Sequence, residues 1–509
     1  MLTRTKHYFV ISFTAVAFLL GSSGGVMAQT RISIGVTETI DAYNPYGDSV
    51  SLMYGIWSEI TGPFCTYNYT KGEFEGRLAE KWKVENPTTW VFYLNKNYQF
   101  NDGSPVTADD VVHSIMTRII KDPQAKQKAS VAPFVVNAEA TDKMTVKVTT
   151  NKPIAPLLDF FCDRLIVTSK AMYDKYGRDV ADKDHMIGAG PYRLKELIPG
   201  QRLVLAKNPN HPEAKKHPRA PDEVVYRIMR ETEQRVTALL NDEIQIGQFV
   251  PPHLRARVEK VPSLRIAQTD SIEIMFLAMQ PKPPFDKKEV RQAVCHAINR
   301  DQIIGTLLEG FASRLDGPLG PGQYGYDPNL KPKLSYDPEK AKKLLAQAGF
   351  AGGIDVELQT PVGRYTLDKQ LSEAMIPMLN AVGIRAKLST PEWATLWGNV
   401  QKGTVPFYYM GRGSIQDPSP AFHQYFHTGE TPRIGYSNPK VDELLDKEQQ
   451  EFDPKKRRQY LSQAMSIITE DAPACFMWRH KLLWGLNRRV DYNPLPDSRV
   501  YAIDIAVKK

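Results

Sequence analysis

The chain has 509 residues, with 65 Lys+Arg against 57 Asp+Glu, a net charge of +8 and a mean hydropathy of −0.38. This composition excludes a disordered chain, a collagen and a polytopic membrane protein, and the length points to about three domains. Basic residues are spread along the chain with no long block, so the pI of 9.0 is not a nucleic-acid signature.

The first 28 residues read as a processing segment. Arg4 and Lys6 make a basic start, residues 8–20 are apolar, and Val26-Met27-Ala28 offers small residues at the −3 and −1 positions of a cleavage after Ala28. The apolar stretch is shorter than the roughly 20 residues that cross a bilayer. No cysteine follows it to carry a lipid. An exported, unanchored periplasmic protein is expected.

Export brings the four cysteines into an oxidising compartment. Cys65–Cys162 is one of the pairings open to them, and sequence does not choose among these. Cys295 falls in a helical pattern with Val290, Ala293, Val294, Ala297 and Ile298 and reads as a small buried hydrophobe.

Along the rest of the chain strands and helices mix, giving an α/β class without clean βαβ units. Residues 88–94 read as a strand, and Met144, Val146 and Val148 alternate with polar residues in another. Thr107 is placed to cap a helix carrying Val111, Val112, Ile115, Met116 and Ile119. Asp337-Pro338 and Asp453-Pro454 each combine a cap with proline in the first turn, and Gly349 ends the first of these helices. Proline- and glycine-rich connections at 198–221, 280–284 and 317–332 mark lobe or domain edges.

Motifs for catalysis are missing. There is no phosphate-cradling glycine loop and no zinc helix of the H-E-x-x-H kind. The one G-x-S-x-G string, Gly21-Ser22-Ser23-Gly24-Gly25, falls in the processing segment. Acidic pairs such as Asp109-Asp110 and Asp442-Glu443 suit the first turns of helices. His423 and His427 stand four apart near Asp417, a spacing that on a helix puts two imidazoles on one face and suits a metal pair, or simply two histidines flanking Tyr425 and Phe426. The expectation is no enzyme and no cofactor.

A series of blocks then resembles one family. Leu78-Ala79-Glu80-Lys81-Trp82, the strand at 90–94 and Phe100-Asn101-Asp102-Gly103-Ser104-Pro105-Val106-Thr107-Ala108-Asp109-Asp110 are followed by Gly188-Ala189-Gly190-Pro191-Tyr192 and Ala238-Leu239-Leu240-Asn241-Asp242. Pro284-Phe285-Asp286, Val290-Arg291-Gln292-Ala293, Tyr336-Asp337-Pro338-Glu339-Lys340-Ala341, Gly435-Tyr436-Ser437-Asn438-Pro439 and Glu470-Asp471-Ala472-Pro473 complete the set. Together, in this order, they resemble the bacterial extracellular solute-binding protein family 5, the dipeptide-, oligopeptide- and nickel-binding components of ABC importers.

The resemblance implies a two-lobed periplasmic binding protein with a hinge and an extra domain in the first lobe (type II, cluster C-like). It assigns 29–73, 190–276 and 490–509 to the first lobe, 74–189 to the extra domain and 277–489 to the second lobe. It implies capture of a small-molecule or peptide ligand by closure, delivery to ABC permease subunits, and a monomer that binds no nucleic acid. The family's dipeptide binders hold the ligand carboxylate with Arg in Pro-Val-x-Arg, matched here by Pro361-Val362-Gly363-Arg364, so Arg364 is the expected carboxylate anchor.

The amine anchor departs from the family pattern. Gly-Trp-x-x-Asp before Asp-Pro becomes Gly411-Arg412-Gly413-Ser414-Ile415-Gln416-Asp417-Pro418. Ile415 or Ser414 occupies the acid's position, Asp417 is the one nearby acid able to compensate, and Arg412 in place of Trp adds positive charge. The expected ligand is a peptide or a peptide-like acidic solute, with an opine or a phosphorylated sugar conjugate as alternatives: Arg364 with Arg412 suits two acidic groups or a phosphate better than a plain zwitterion, unless Arg412 points to solvent or pairs with Asp417. Trp393, Trp397, Tyr408 and Tyr409 are aromatic candidates for the pocket wall. Tyr43 and Asn44, in the loop after the first strand, are secondary candidates. The competing readings are chelated nickel held by His423 or His427 and, from another class, a chaperone-like or signalling adaptor.

Overall fold

The computed structural model describes residues 30–38, 43–47, 51–184, 186–413, 416–430 and 432–508, so the expected leader, Ser414 and Ile415 lie outside the described residues. Two large apolar cores organise the chain. One gathers Ile32, Ile34, Trp57, Tyr192, Tyr226 and Trp484, and the other Phe276, Leu277, Val294, Tyr408, Tyr409 and Trp478.

In the first lobe, strand Arg31–Val36 lies parallel to Glu223–Ile228, with Ile34 opposite Tyr226, and parallel to Ile246–Gly247. In the second lobe, strand Ile274–Met279 is buried along its whole length. It runs antiparallel to Phe407–Arg412, with Ile274 opposite Arg412 and Met279 opposite Phe407. Both strands read as near-continuous apolar runs because both of their faces are covered.

Strand Ala474–Asn487 links the lobes. Its first part pairs with Ile274–Met279 and its second with Leu264–Asp270. The strand passes from the second core at Trp478 to the first at Leu482, upstream of the 489–490 boundary expected from sequence. Two neighbouring crossings thus form the hinge, one at 271–273 and one within this strand.

The extra domain of the first lobe carries a four-stranded antiparallel sheet in the order Ala79–Asn86, Thr89–Leu94, Thr145–Thr150, Val135–Asp142. The two strands expected from sequence are its central pair. Thr107 caps helix Ala108–His113, its backbone N–H and hydroxyl both donating to Asp110 at 2.9 and 2.8 Å. Asp337 and Asp453 cap their helices as expected, accepting from Lys340 N–H at 2.9 Å and from Lys455 N–H at 2.8 Å.

Cys65 and Cys162 form a disulfide with Cα atoms 4.5 Å apart, tying strand Cys65–Asn68 to helix Leu157–Arg164. Cys295 and Cys475 are buried and unbridged. The lobes touch away from the hinge as well. Asp417 N–H donates to Asp159 Oδ1 at 3.0 Å, Gln416 Nε2 to the Tyr69 hydroxyl at 3.0 Å, and Ala155 N–H to Gln449 O at 2.8 Å. Among the described residues, no helix is long and apolar enough to cross a membrane.

Candidate functional site

Arg364 sits on the turn between strand Ile354–Gln359 and helix Asp368–Asn380. The turn is built around one carboxylate. Asp368 accepts the backbone N–H groups of Gly363, Arg364, Tyr365 and Lys369 at 2.9–3.0 Å, and Leu367 takes a left-handed φ of 54° to enter the helix. Tyr365 is fixed in turn, donating its hydroxyl to Gly411 O at 3.2 Å. The loop is thereby pre-organised, and the Arg364 side chain, 39% exposed, reaches out of it toward the first lobe.

Two carboxylates meet it. Glu38, just past the first strand, places Oε1 3.9 Å from Arg364 Nη1 and accepts Leu52 N–H at 3.1 Å on its other oxygen. Glu273 comes from the hinge, and its carboxyl lies so close to the strand Phe407–Arg412 that a Cβ on Gly411 would stand 2.9 Å from Oε1. Burial pushes both carboxyls above the ordinary glutamate value, while Arg364 pulls each back down. Burial also works against charge on Arg364, but Tyr365, Glu38 and Glu273 hold its guanidinium above the ordinary value.

The second-lobe wall is a ladder of arginines and aromatic rings. Trp393 and Trp397 lie one turn apart on helix Trp393–Gln401 and stack with centroids 5.7 Å apart and planes at 13°. Arg364 lies 5.3 Å from the Trp393 ring, Arg433 lies 4.6 Å from Trp397 and 5.6 Å from Tyr425, and Arg412 lies 5.8 Å from Tyr425. Cations stacked on ring faces keep their edge N–H donors for a ligand. Burial pulls Arg412 below the usual guanidinium range, with Arg164 of the extra domain and Arg433 adding to the effect. Its Nε has no hydrogen-bond partner among the described residues. On the opposite wall the Tyr54 ring lies between Arg164 and Arg499, at 5.8 and 5.9 Å.

Beside this cluster a cavity of about 340 Å³ runs between the extra domain and the first lobe, lined among others by Tyr54, Tyr67, Tyr69, Asp159 and Arg499. Gln416 of the second lobe closes one side of it. The volume falls in the range of small-molecule sites.

Of the residues expected from sequence, Arg364, Arg412, Trp393 and Trp397 come together on this wall. Others are placed elsewhere. Tyr409 is wholly buried in the second core, its ring 6.1 Å from Trp478, because both faces of its strand are covered; it supports the wall from behind and does not line it. Asp417 is not offered to a ligand: Arg457 grips it with two bonds of 2.5 and 2.6 Å, and Asp417 caps Ser419 N–H at 3.0 Å. Tyr43 donates its hydroxyl to Leu197 O at 2.6 Å, and Asn44 accepts Tyr46 N–H at 3.0 Å, so both hold the first lobe's own loop. Ser414 falls outside the described residues. His423 and His427 meet Asp446, not Asp417. Sequence reasoning missed Glu38, Glu273, Arg433 and Tyr425. Glu38 carried a signal, standing at the C-terminal end of the first strand where the cleft-facing loop begins.

Two lobes, a hinge of two strand crossings, an extra domain in the first lobe and a charged cleft define a periplasmic-binding-protein fold. Residues 73–433 match the family model of the bacterial extracellular solute-binding proteins, family 5, middle region. The chain belongs to that family. It is 26% identical over 442 residues to the probable D,D-dipeptide-binding periplasmic protein DdpA of Escherichia coli K12, with 83% of each chain covered. It is 26% identical over 415 residues to the glutathione-binding protein GsiB of Escherichia coli O6:K15:H31 strain 536, covering 78% of each. The periplasmic binding protein DppA of Helicobacter pylori, solved with the peptide STSA, shares the fold with a TM-score of 0.80 at 24% identity, over 94% of this chain and 98% of that one. Members of the family are periplasmic solute-binding components of ABC importers, not enzymes.

Proposed function

We propose that this chain captures an acidic, peptide-like solute between its lobes and presents it to the permease of an ABC importer. The observation that carries the reading is the pairing of Arg364 on the second lobe with Glu38 on the first, beside Glu273 of the hinge. A ligand carboxylate replaces Glu38 on Arg364, and the ligand ammonium takes the two glutamates that carboxylate leaves uncompensated. Glu38 and Glu273 thus do the work for which Asp417 was the candidate in the sequence. Because the ligand bridges both lobes, it has the differential affinity that closure needs.

Arg412 and Arg433 set the class of solute. With Arg364 they give three cations on one wall, against Glu38 and Glu273 among the described residues, while Arg499 opposite already has Asp497 3.8 Å away. A solute with one ammonium and two acidic groups balances this set better than a plain dipeptide does. The relatives named for D,D-dipeptides and for glutathione support a peptide-like backbone, and glutathione itself carries two carboxylates and one ammonium. Nickel as cargo draws no support from the cleft, since His423 and His427 face the neighbouring helix. The protein works as an exported monomer freed of residues 1–28.

The test is native mass spectrometry of the chain purified from its own periplasm, followed by calorimetry. Glutathione, acidic dipeptides, neutral dipeptides, an opine acid and a sugar phosphate form the panel. The expected result is binding of diacidic peptides at least about tenfold tighter than neutral ones. Equal affinity for neutral peptides, or binding of the sugar phosphate alone, overturns the reading, and saturable binding of none of them favours an adaptor.

A further inference from the structure

Helix Ser419–Phe426 has two working faces. Phe422 and Tyr425 look toward Arg412, while His423 and His427, about 200° away from Tyr425 in helical angle, look toward helix Pro439–Gln450. There the two imidazoles lie nearly parallel, with ring centroids 5.2 Å apart and planes at 15°. Asp446 of the facing helix joins them, so that one donor atom from each of the three residues lies within 4.8 Å of the others.

Each imidazole is already oriented by a backbone carbonyl. His423 Nε2 is 3.1 Å from Leu445 O, and His427 Nδ1 is 3.1 Å from Thr428 O. A ring nitrogen that gives its proton to a carbonyl leaves the other nitrogen as a bare lone pair, the arrangement found behind metal-bound histidines. On His427 that other nitrogen is Nε2. It is buried, has no hydrogen-bond partner among the described residues, and stands 3.6 Å from Asp446 Oδ2. A tetrahedral ion with ligands at about 2.0–2.2 Å holds neighbouring donors about 3.3–3.6 Å apart. The Asp446 side chain is 46% exposed, which gives an ion a way in from solvent.

We propose that His423, His427 and Asp446 form a site for one borderline transition-metal dication, Zn²⁺ or Ni²⁺, separate from the solute cleft. The two imidazoles and one carboxylate supply three ligands, and water completes the shell. The ion joins two helices that both meet the extra domain, one just after Asp417 and the other through Gln449. It therefore pins the second-lobe side of that seam. The proposal stands apart from the identity of the cargo.

The test uses the full chain without affinity histidines, stripped with chelator and titrated with Zn²⁺ or Ni²⁺ alone, reading stoichiometry by equilibrium dialysis and thermal unfolding in parallel. The expected result is one equivalent bound with a Tm raised by about 2 °C or more. His427→Ala and Asp446→Asn each weaken this binding by more than about tenfold, while Arg364→Ala leaves it unchanged. Asp446 lies at the surface, so Asp446→Asn reads the site even where a histidine variant folds poorly. Absence of saturable binding, full-affinity binding in both site variants, or loss of binding in Arg364→Ala overturns the proposal.

Discussion

Arg364 and Glu38 face each other across the cleft at 3.9 Å, too far for a hydrogen bond and close enough for each to favour the other's charged form. On the proposed reading, a zwitterionic ligand enters between the two. A ligand carboxylate offers Arg364 a shorter, two-pronged partner than Glu38 does, and the displaced glutamate becomes a partner for the ligand's ammonium. Arg364→Ala is accordingly expected to weaken a carboxylate ligand by about 1.5–3 kcal/mol or more, roughly tenfold to 150-fold. Asp368 builds the turn without the Arg364 side chain, so the fold is kept, and the empty protein's Tm is expected to fall at pH 8, where Glu38 and Glu273 lose their compensating cation, and to change less at pH 5. Isothermal titration and thermal unfolding of the same preparation check both halves, and unchanged affinity removes Arg364 from the site.

The glutamates make binding depend on pH. Burial raises both Glu38 and Glu273 above the ordinary carboxylate value, so protons compete with a ligand ammonium as the pH falls toward those raised values. Affinity for glutathione is expected to drop from pH 8 to pH 5, by up to about tenfold per pH unit for each glutamate that protonates. Its desamino analogue is expected to lack that drop. The sign is opposite for stability of the empty protein: an acid with a raised folded-state value contributes most below its unfolded value and loses that contribution as the pH rises. Calorimetry of the two ligands across this range decides the matter, and parallel profiles argue against an ammonium on these residues.

Arg412→Trp removes one of the wall's three cations and restores a large ring beside Tyr425. The preference for diacidic over neutral peptides is expected to shrink by about tenfold or more, the value of one charged hydrogen bond. The informative quantity is the ratio of affinities. A fall in both affinities together would mean that the wall had merely been repacked.

The strands at 88–94 and 144–148, the three helix caps and the lobed architecture were all legible in the sequence, because each rests on a local signal or on a string of family blocks. The placement of a candidate residue was legible where it is carried by a string, as for Arg364 in Pro361-Val362-Gly363-Arg364, which the structure sets on a turn opposite Glu38. It was illegible where it depends on distance in the chain. Glu273 and Arg412 belong together only because Ile274 pairs with Arg412 in the sheet, and no pattern in either segment announces that register. Asp417 shows the converse. It stands where a ligand anchor belongs, but its partner Arg457 lies forty residues on and cannot be read from the loop. Tyr409 misled for a physical reason, since an aromatic residue in a strand covered on both faces looks the same in sequence as one lining a pocket.

Glu448 tests how that buried network is held. It lies under Arg457, accepting Arg457 Nε at 3.0 Å, and shares the guanidinium with Asp417. Burial, opposed by Arg457 and reinforced by the charge of Asp417, pushes its carboxyl up to about 7. The folded protein therefore binds this proton more tightly than the unfolded chain, and stability is expected to fall as the pH rises from about 4.5 to about 7, by on the order of 3 kcal/mol. Glu448→Gln keeps the shape, removes the titration and flattens that slope, leaving the variant at least as stable as the parent at pH 8. Arg457→Ala acts in the other direction, stranding two buried carboxylates at a cost of about 3–5 kcal/mol. Urea unfolding of the three proteins at pH 5, 6, 7 and 8 measures both effects. A slope that survives in Glu448→Gln would place the titrating group elsewhere in the fold.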